Sequence, residues 1–495
     1  MWCMNPWPKH ARKRTPWGLR CYSRGTMSEF IQDLIDWQFI VSALVLAIGV
    51  HAVLGLVAYG VYLERKISAY IQDRIGPNRV GLDFGLPFLK FLRGFLALGQ
   101  PLADGIKFFV KEDFTPTNVD KVLFTLAPIF AVVPALIGFV VMPWGGYFEI
   151  PAAQDMAFFN WLFGAPGFLG DTFFFLFGHI DAQTVSVSGA EVHIGIIYLL
   201  AVASIGVYGV TLGGWASNNK YSMLGGLRAT AQMISYEIPL GLALLSTLLI
   251  TGTFMPNEIV AYQVENGWMM LSMPLAAILF YVCGLAEANR APFDNAEAEQ
   301  ELVGGFHTEY SSMRFALYFL AEYAHLVTAC AFFVLLFMGG YHLPVLDFGL
   351  TSPEATGLLA MLVKIGVFAF KVVLMVCFAM VVRWTVPRIR YDQVMMLGWQ
   401  AMIPAGMLII VVTSVMVYLG QTTLIPMLLA NVVMLVVLLI AQHIFATIYG
   451  RSTANRKIGL WGSRYSPMDG ERVMTAPSNP MAREDRPMQG TAPSA

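Results

Sequence analysis

Hydrophobic residues in this chain are concentrated in nine long runs that are separated by polar or turn-forming segments. The runs predict helical spans at about 38–62, 120–142, 192–212, 229–251, 269–287, 314–338, 358–382, 398–419 and 422–449. Each run has close to or more than the ~20 residues that an α-helix needs to cross a bilayer. Lipid offers the backbone no hydrogen bonds, so only helices or closed barrels can cross it, and continuous apolar runs lack the alternation of a barrel strand. The pattern therefore predicts an all-α integral membrane protein, a polytopic bundle of about nine transmembrane helices.

A shorter segment between the first two spans has the periodicity of an amphipathic helix. Gln100, Asp104, Lys107 and Lys111 recur at helical spacing, and apolar residues fill the rest of the turn. Pro101 suits the first turn of a helix because its missing N–H has no partner to lose there. The pattern predicts a helix that lies on the membrane surface or against a partner. An ordinary packed amphipathic helix is the alternative.

Basic residues are concentrated in every second loop. The loop 64–117 contains eight Lys or Arg residues, the loop 143–190 contains none, and the later loops continue this alternation. Loops rich in Lys and Arg stay on the cytoplasmic side of a membrane. The first, third, fifth and seventh loops are therefore predicted to be cytoplasmic, and the amphipathic helix lies on that side.

The two ends of the chain differ in composition from the predicted bundle. Residues 1–26 contain six Lys or Arg residues and no acid, which conflicts with the predicted orientation, so they are interpreted as a basic extension or a mis-assigned start before Met27. The bundle is expected over 27–420, with an additional transmembrane helix over 421–450. Residues 451–495 are rich in Pro, Arg, Ser and Gly, and they predict a disordered cytoplasmic tail.

Composition and motifs exclude several classes of function. Hydrophobic residues make up 57% of the chain and charged residues 13%, whereas about a quarter of a soluble domain is charged. The net charge is −1, and no compact basic patch suggests nucleic acid. The five cysteines form no C-x-x-C pair, and no Walker A, dinucleotide or transition-metal motif is present. We therefore expect this chain to bind no nucleotide, haem, iron–sulfur cluster or metal ion.

Four glutamates lie inside the apolar spans or at their ends. Glu237 and Glu322 lie about eight residues into the fourth and sixth spans, while Glu191 begins the third and Glu287 closes the fifth. His325 lies one helical turn from Glu322 on the same face. A charge at the bilayer centre costs ~2.5–3.5 kcal/mol on insertion scales, and burial moves a carboxyl pKa toward the range of reversible proton exchange. Four such acids favour a proton or ion pathway, with acids paired across helices for packing as the alternative.

Two predicted cytoplasmic loops carry opposite charges. The loop 287–309 is rich in acid but is interrupted by apolar residues that can pack, and the first loop contributes Arg65, Arg74 and Arg79. Ordered loops of opposite sign predict a docking surface for another protein. A solvated charged loop is the alternative.

Several blocks of sequence resemble one known family. Residues 64–66 read E-R-K and residues 72–81 read Q-D-R-I-G-P-N-R-V-G. With the blocks at 100–113, 213–239 and 286–310, they resemble, in order, the quinone-channel (H) subunit of proton-translocating NADH:quinone oxidoreductase, respiratory complex I. The resemblance implies a membrane subunit of that enzyme, in the bacterial plasma (inner) membrane, without a redox centre of its own.

The resemblance also implies two groups of functional residues. The charged residues beside a quinone tunnel, which the chain forms with the hydrophilic arm, are Glu64, Arg65, Asp73, Arg74, Arg79, Arg290, Asp294, Glu297, Glu299, Glu301 and Glu309. The acids of a proton relay, which couples quinone reduction to proton translocation, are Glu191, Glu237, Glu287 and Glu322. The first span, the surface helix near 88–110 and the sixth span frame the entrance from the lipid.

Partners and cofactors follow from the same resemblance. Quinone is the substrate, and FMN and the iron–sulfur clusters belong to partner subunits, so this chain holds no cofactor and no catalytic residue by itself. The expected partners are the hydrophilic subunits that carry the terminal iron–sulfur cluster, the neighbouring small membrane subunits, quinone and membrane lipid.

Two alternatives stay open. An equivalent subunit of a membrane-bound hydrogenase or a deazaflavin-dependent dehydrogenase differs mainly in its electron donor. A self-standing cation transporter could use the same buried acids, but it predicts inverted repeats that the spans do not show.

The chain also departs from the family pattern. Its segment 144–190 is longer than the usual outer loop and suggests a re-entrant or interfacial helix, and its ninth span exceeds the usual eight.

Overall fold

The described part of the chain is almost entirely helical. The computed structural model describes residues 37–81, 97–150, 183–295, 304–344, 349–448, 472–475 and 484–487. Its α-helices are α1 (Trp37–Ile71), α2 (Gln100–Val110), α3 (Lys121–Ile137), α4 (Gly195–Ala216), α5 (Lys220–Thr251), α6 (Pro256–Asn266), α7 (Met269–Ser272), α8 (Pro274–Glu287), α9 (Ser312–Phe337), α10 (Leu358–Thr385), α11 (Tyr391–Met396), α12 (Ile403–Tyr418) and α13 (Leu424–Ile448). Its strands are β1 (Tyr147–Ile150), β2 (Gln183–Ser186), β3 (Arg472–Thr475) and β4 (Glu484–Pro487).

Eight helical segments among the described residues are long and apolar enough to cross a membrane. They are α1, α3 with its following 3-10 turn, α4, α5, α9, α10, the continuous segment Tyr391–Tyr418 and α13. The apolar helix α8 is shorter, with 14 residues. The nine predicted spans correspond to these eight segments and α8, so the predicted all-α membrane bundle is confirmed.

Several predicted boundaries differ from the structure, such as the end of the first span, which is Ile71 rather than 62, and three of the differences have a local reason. Helix α5 begins at Lys220 rather than at 229, because the Asn219 side chain accepts the N–H of Tyr221 and caps the helix before the apolar run starts. A π-helical turn at Leu397–Met402 joins α11 to α12, so that span begins at residue 391 rather than at 398. The span predicted over 269–287 is broken at residue 273, where proline follows and cannot donate a backbone hydrogen bond.

The two strands β1 and β2 mark one end of the bundle. They pair antiparallel, with Tyr147 opposite Ser186. The Gln38 side chain donates to the carbonyl of Ser186 and accepts its N–H at 2.9 Å, so the hairpin lies beside the first turn of α1. We call this the hairpin end of the bundle. The predicted helix within 144–190 is not found at 147–150 or 183–186, and residues 151–182 lie outside the described part.

The opposite end, which we call the charged end, is where α1, α8 and α10 finish. Helix α1 has 35 residues and is therefore ~52 Å long at 1.5 Å per residue, which exceeds the ~30 Å of a hydrocarbon core. After Ile71 the chain turns at Asp73 and Gly76, which both have positive φ. Helix α1 therefore carries charged residues of its last turns beyond the apolar core.

The predicted amphipathic helix is present as α2 and packs at the charged end. Pro101 lies in its first turn, and Leu102, Ile106 and Phe109 are exposed along one side. An exposed apolar stripe of this kind suits the membrane interface. The Asp104 carboxylate forms an ion pair with Arg65 of α1 at 2.7 Å, which joins α2 to the first span.

Small residues bring the helices together. A Cβ atom placed on Gly209 of α4 would lie only 2.5 Å from the backbone nitrogen of Ala131 of α3. Close approach through small residues is the usual way in which membrane helices pack. The space that remains beside these contacts forms the cavities described below.

The terminal segments are described only in part. The predicted basic extension 1–26 lies outside the described residues. Helix α13 occupies the predicted additional span 421–450. Within the predicted tail 451–495, β3 pairs antiparallel with β4, with Arg472 opposite Pro487. The rest of that tail lies outside the described residues, and its disorder stays a prediction.

Candidate functional site

A group of buried ion pairs lies at the charged end, where α1, α9, α10 and the residues after α8 meet. One oxygen of Glu64 lies 2.7 Å from Arg383, and the other accepts the Tyr323 hydroxyl and lies 4.0 Å from Arg290. The second guanidinium nitrogen of Arg290 lies 3.1 Å from Glu322. We call these five residues the ion-pair cluster. Its two carboxylates balance its two guanidinium groups, which offsets part of the cost of removing the charges from water.

The loop that carries Arg290 is fixed by a buried amide. The Gln232 side chain of α5 donates to the carbonyls of Ala286 and Phe293, at 2.9 Å each, and contacts the Asn289 side chain at 3.2 Å. Asn289 adopts a positive φ of 50°, which ends α8 and reverses the chain. The guanidinium of Arg290 then lies over the Tyr323 ring, 4.0 Å from its centroid, a favourable cation–π geometry.

Asp294 lies beside this cluster, and its pKa is raised toward the neutral range. Its side chain is buried, and burial raises its pKa from 3.8 to about 6. The charge of Glu322 raises the pKa further, while Arg383, Arg388 and Arg290 oppose the rise. Within the described part of the chain, its Oδ1 atom has no hydrogen-bond partner. The arrangement gives a carboxyl group that can accept or donate a proton close to two buried ion pairs.

Two cavities continue from the ion-pair cluster into the bundle. The first, with a volume of about 20 Å³ open to a water molecule, is lined by Glu322, Glu287 and His325 among others. The second, with about 30 Å³, is lined by Glu287 and His325 but not by Glu322. Cavities with polar groups on their walls can hold ordered water. The three side chains therefore lie along one route from the charged end toward the middle of the bundle.

Glu237 lies next to the second cavity. Its carboxylate accepts the Ser204 hydroxyl of α4, and Leu240, one turn further along α5, lines that cavity. Glu237 is close enough to Glu287 for their charges to interact unfavourably. Of the predicted relay residues, Glu287 and Glu322 line these cavities, and Glu237 lies near Glu287 without lining either cavity.

Glu191 does not join this group. It was predicted to begin the third span, but α4 begins at Gly195. The preceding residues are held outside the helix, where the Ala190 N–H donates to the carbonyl of Val140, in the turn after α3, at 2.9 Å. The exposed Glu191 carboxylate accepts the Tyr147 hydroxyl at 2.7 Å. It lies at the hairpin end, on the far side of the bundle from the ion-pair cluster.

The remaining predicted tunnel residues are distributed around the charged end. Arg65 pairs with α2, and the side chains of Asp73, Arg74 and Arg79 are exposed after α1. Glu309 accepts the Asn219 amide at 2.6 Å. The acidic residues Glu297, Glu299 and Glu301 lie outside the described residues.

Two buried lysines were missed in the sequence, although the cost that singled out the glutamates applies to them equally. Lys364 and Lys371 lie inside the span 358–382. The Lys371 ammonium donates to the carbonyls of Met338 at 2.6 Å, Gly340 at 3.0 Å and His342. Lysines with polar partners in apolar spans are as unusual as acids.

Two members of the ion-pair cluster were also missed. Arg383 lies one residue beyond the predicted end of its span, and Tyr323 carries no charge. The cost of burying a charge in a span therefore indicated neither residue. Within the described residues, no group of three or more His, Cys, Asp or Glu side chains could hold a metal ion.

Comparisons with known proteins show the family to which the chain is similar. A family model described as NADH dehydrogenase matches residues 44–414, and this match ends before α13. The chain is 40% identical over 382 residues to an H subunit of the NADH-quinone oxidoreductase of Cytophaga hutchinsonii, covering 77% of this chain and 98% of that protein. It is 43% identical over 365 residues to an H subunit of the NADH-quinone oxidoreductase of Geobacter sulfurreducens, covering 74% and 91%. It is 41% identical over 390 residues to the corresponding H subunit of Leptospira biflexa, covering 77% and 96%.

Proposed function

The chain belongs to the family of NADH-quinone oxidoreductase H subunits, and we propose that it forms the membrane side of a quinone tunnel and couples quinone reduction to proton translocation. It is a multi-pass membrane subunit of an oxidoreductase. The observation that carries the proposal is the position of the ion-pair cluster, which joins the loops of the charged end to the two cavities inside the bundle. The names of the relatives favour this function over that of a hydrogenase or transporter subunit.

The proposed chemistry needs protons near the loops. Reduction of a quinone to a quinol consumes two electrons and two protons per molecule. In the proposed complex, FMN and the iron–sulfur clusters of partner subunits supply the electrons, and this chain supplies charge and protons. Asp294, whose pKa is about 6, suits a proton donor at neutral pH because its protonated and ionised forms are both populated there.

Arg290 provides the proposed link between the tunnel and the cavities. Its guanidinium lies 4.0 Å from Glu64 and 3.1 Å from Glu322. When the charge near Glu64 changes, the balance of attraction on Arg290 changes as well, and Glu322 faces a different field. Interactions between charges are strong where water is excluded, so a change at the loops can alter proton occupancy along the cavities.

The relay residues have unequal support in this proposal. Glu322 and Glu287 line the cavities, and Glu237 lies near Glu287. Glu191 lies at the hairpin end, and its proposed part in the relay is therefore confined to the far side of the bundle.

We also propose an orientation and a docking surface. The charged end faces the cytoplasm of a bacterial cell, in its plasma membrane, because its loops hold Lys and Arg residues whereas the loops 143–190, 251–268 and 339–356 hold none. The hydrophilic partner subunits then dock on this end, where Asp73, Arg74 and Arg79 are exposed. Small membrane subunits and lipid cover the sides. Single cysteines introduced at 74 and 265 test the orientation, since a membrane-impermeant thiol reagent should label only the second from outside intact cells.

The proposed tunnel is tested by replacing Glu64 with glutamine in the assembled complex. Glu64→Gln removes one buried charge and leaves the guanidinium groups of Arg383 and Arg290 with Glu322 as the only carboxylate of the cluster, so quinone reduction by NADH should fall about tenfold or more. Glu265→Gln, an exposed acid at the hairpin end, is the matched control and should keep the normal rate. Equal rates for both variants, with normal assembly, would remove the support for a tunnel at this cluster.

A further inference from the structure

The two cavities share a wall that contains a histidine. Three residues line both of them, namely Glu287, Ala288 and His325. Of these, Glu287 and His325 can carry a proton. Since Glu322 lines only the first cavity, a proton that moves from it to the second cavity passes this wall.

The structure reserves space for the imidazole ring. A Cβ atom placed on Gly206 of α4 would lie 2.6 Å from His325 Nε2, so only glycine leaves the ring its place. The ring also lies close to the backbone of Ala131 on α3. A neutral imidazole has one N–H donor and one nitrogen that can accept a proton.

The groups that surround His325 are suited to exchange protons with it. Glu322 lies one turn away on α9 and interacts with it electrostatically. Glu287 of α8 lines both cavities with it, Glu237 of α5 lies beside the second cavity, and Tyr318 lines the first. Each of these neighbours belongs to a helix that packs around the same space.

We propose that His325 is a proton-carrying residue that connects the two cavities, an inference that rests on the proposed coupling function. The accepting nitrogen takes one proton from water on the Glu322 side and becomes positively charged. The same nitrogen then releases one proton to water on the Glu287 side, and the ring returns to its neutral form. No electron moves, and the number of protons is conserved.

The test compares His325→Gln and His325→Ala in the complete complex, reconstituted in liposomes. Proton translocation should fall about tenfold or more in both, as expected when a proton-transferring group is lost, while NADH oxidation with quinone continues. Added imidazole should restore translocation in His325→Ala, which has room for it, and not in His325→Gln. A residue that only fills space would not respond to imidazole in this way.

Two further variants test whether the position of the His325 ring matters for proton translocation. Gly206→Ala should displace the ring and lower translocation in the wild-type background, but it should have no additional effect in His325→Ala. Thr125→Ala of α3 is the matched control, because its exposed hydroxyl donates to the Lys121 carbonyl and its side chain lines neither cavity. This control should translocate protons normally.

The outcomes distinguish the inference from the function on which it rests. If Glu322→Gln lowers translocation but both His325 variants translocate normally, the proposed role of His325 is wrong and the coupling function stands. If neither Glu322→Gln nor the His325 variants change translocation, the coupling function fails as well. If imidazole does not restore His325→Ala, the ring acts by packing and the inference is overturned.

Discussion

The guanidinium of Arg290 lies between two carboxylates that belong to different helices, 4.0 Å from Glu64 of α1 and 3.1 Å from Glu322 of α9. Helix α1 extends toward the loops of the charged end, and α9 extends along the cavities. One side chain therefore connects the charged end with the cavities, the two regions to which we assign quinone reduction and proton translocation in the proposed function. The planar guanidinium has several N–H groups and can pair with both carboxylates at the same time, which a single ammonium group does less well.

Replacing Arg290 should be more harmful than its charge alone suggests. Arg290→Lys retains the charge but cannot span both acids, so we expect quinone reduction to fall about tenfold or more. Arg290→Gln leaves two buried carboxylates facing only Arg383 and should destabilise the assembled subunit by about 3–5 kcal/mol. Enzyme assays and thermal unfolding of the purified complex measure the two effects.

Arg228→Gln provides the control for Arg290. Arg228 is exposed and lies over the Tyr391 ring at 5.9 Å, outside the ion-pair cluster. This variant should assemble and turn over normally. Full activity of Arg290→Lys would show that one positive charge is sufficient at this position, and it would contradict the bridging role of the guanidinium.

Asp294 should give the enzyme a pH dependence near its pKa of about 6. Its protonated form donates protons, so the part of the rate that depends on it should decline as the pH rises through that value. Asp294→Asn should lack this step and should be slower at low pH, whereas Asp294→Glu should keep a step. The measurement is NADH-driven quinone reduction across the pH range for all three proteins. An unchanged profile in Asp294→Asn would contradict the role of this carboxyl.

The same pKa has a consequence for stability. The pKa of Asp294 is raised in the folded protein relative to its ordinary value of 3.8, so folding favours the protonated form. This stabilisation is fully present below pH 3.8 and is lost as the pH rises through about 6. Asparagine stays neutral, so thermal unfolding of Asp294→Asn should be less sensitive to pH in that window than the wild type. Parallel curves for the two proteins would be inconsistent with a raised pKa.

Lys371 should stabilise the end of α9 that faces the hairpin. All three N–H groups of its ammonium donate to carbonyls that follow α9, and the ammonium lies 4.7 Å from the Trp268 ring centroid. A cation at a helix C-terminus also favours the helix dipole. Lys371→Met should therefore lower the melting temperature of the subunit strongly, because each buried carbonyl left without a donor costs about 1–3 kcal/mol.

Lys364→Met is the matched comparison for Lys371. Lys364 is equally buried on the same helix, but it donates to one carbonyl, that of Ala355, at 2.6 Å. Its loss should lower the melting temperature less than the loss of Lys371. The reverse order would mean that the three carbonyls are not the source of the stability.

Helix packing through glycine can be tested separately from the charged residues. Gly209→Ala places a Cβ atom 2.5 Å from the backbone of Ala131, and it should separate α3 from α4 and reduce assembly. At Gly241 of α5 no described atom would lie within 4 Å of the added Cβ, so Gly241→Ala should assemble normally. Quantification of the assembled complex on native gels compares the two. Equal assembly would argue against close packing at Gly209.

Most of the fold could be predicted from the sequence because apolar runs of bilayer length have few other solutions. The errors occurred where polar residues belong to a helix, as in the first turns of α5 from Lys220, or where the helical geometry changes, as at Leu397–Met402. Hydrophobicity marks the part of a helix that faces lipid or core. It does not predict where a helix begins or ends when a capping side chain or a π-helical turn determines that position.

The site could be predicted only as separate residues. The energetic cost of buried charge indicated Glu237, Glu287 and Glu322, but the pairing of Glu64 with Arg383 depends on which helices meet, and a single sequence does not specify this. The cavities that connect the acids depend on side-chain packing for the same reason. Glu191 was assigned to the third span because it lies beside an apolar run. The helix begins at Gly195, so Glu191 lies outside it.

The ratio of protons translocated to electrons transferred, measured for Glu237→Gln in liposomes, tests the coupling by the buried acids most directly. Glutamine retains the size of the side chain and can still bond to Ser204, but it has no titratable proton. We expect a complex that assembles, oxidises NADH with quinone and translocates markedly fewer protons per electron than the wild type. A normal ratio in a fully assembled Glu237→Gln complex would contradict the proton relay, and a loss of assembly without a change in ratio would assign this acid to packing.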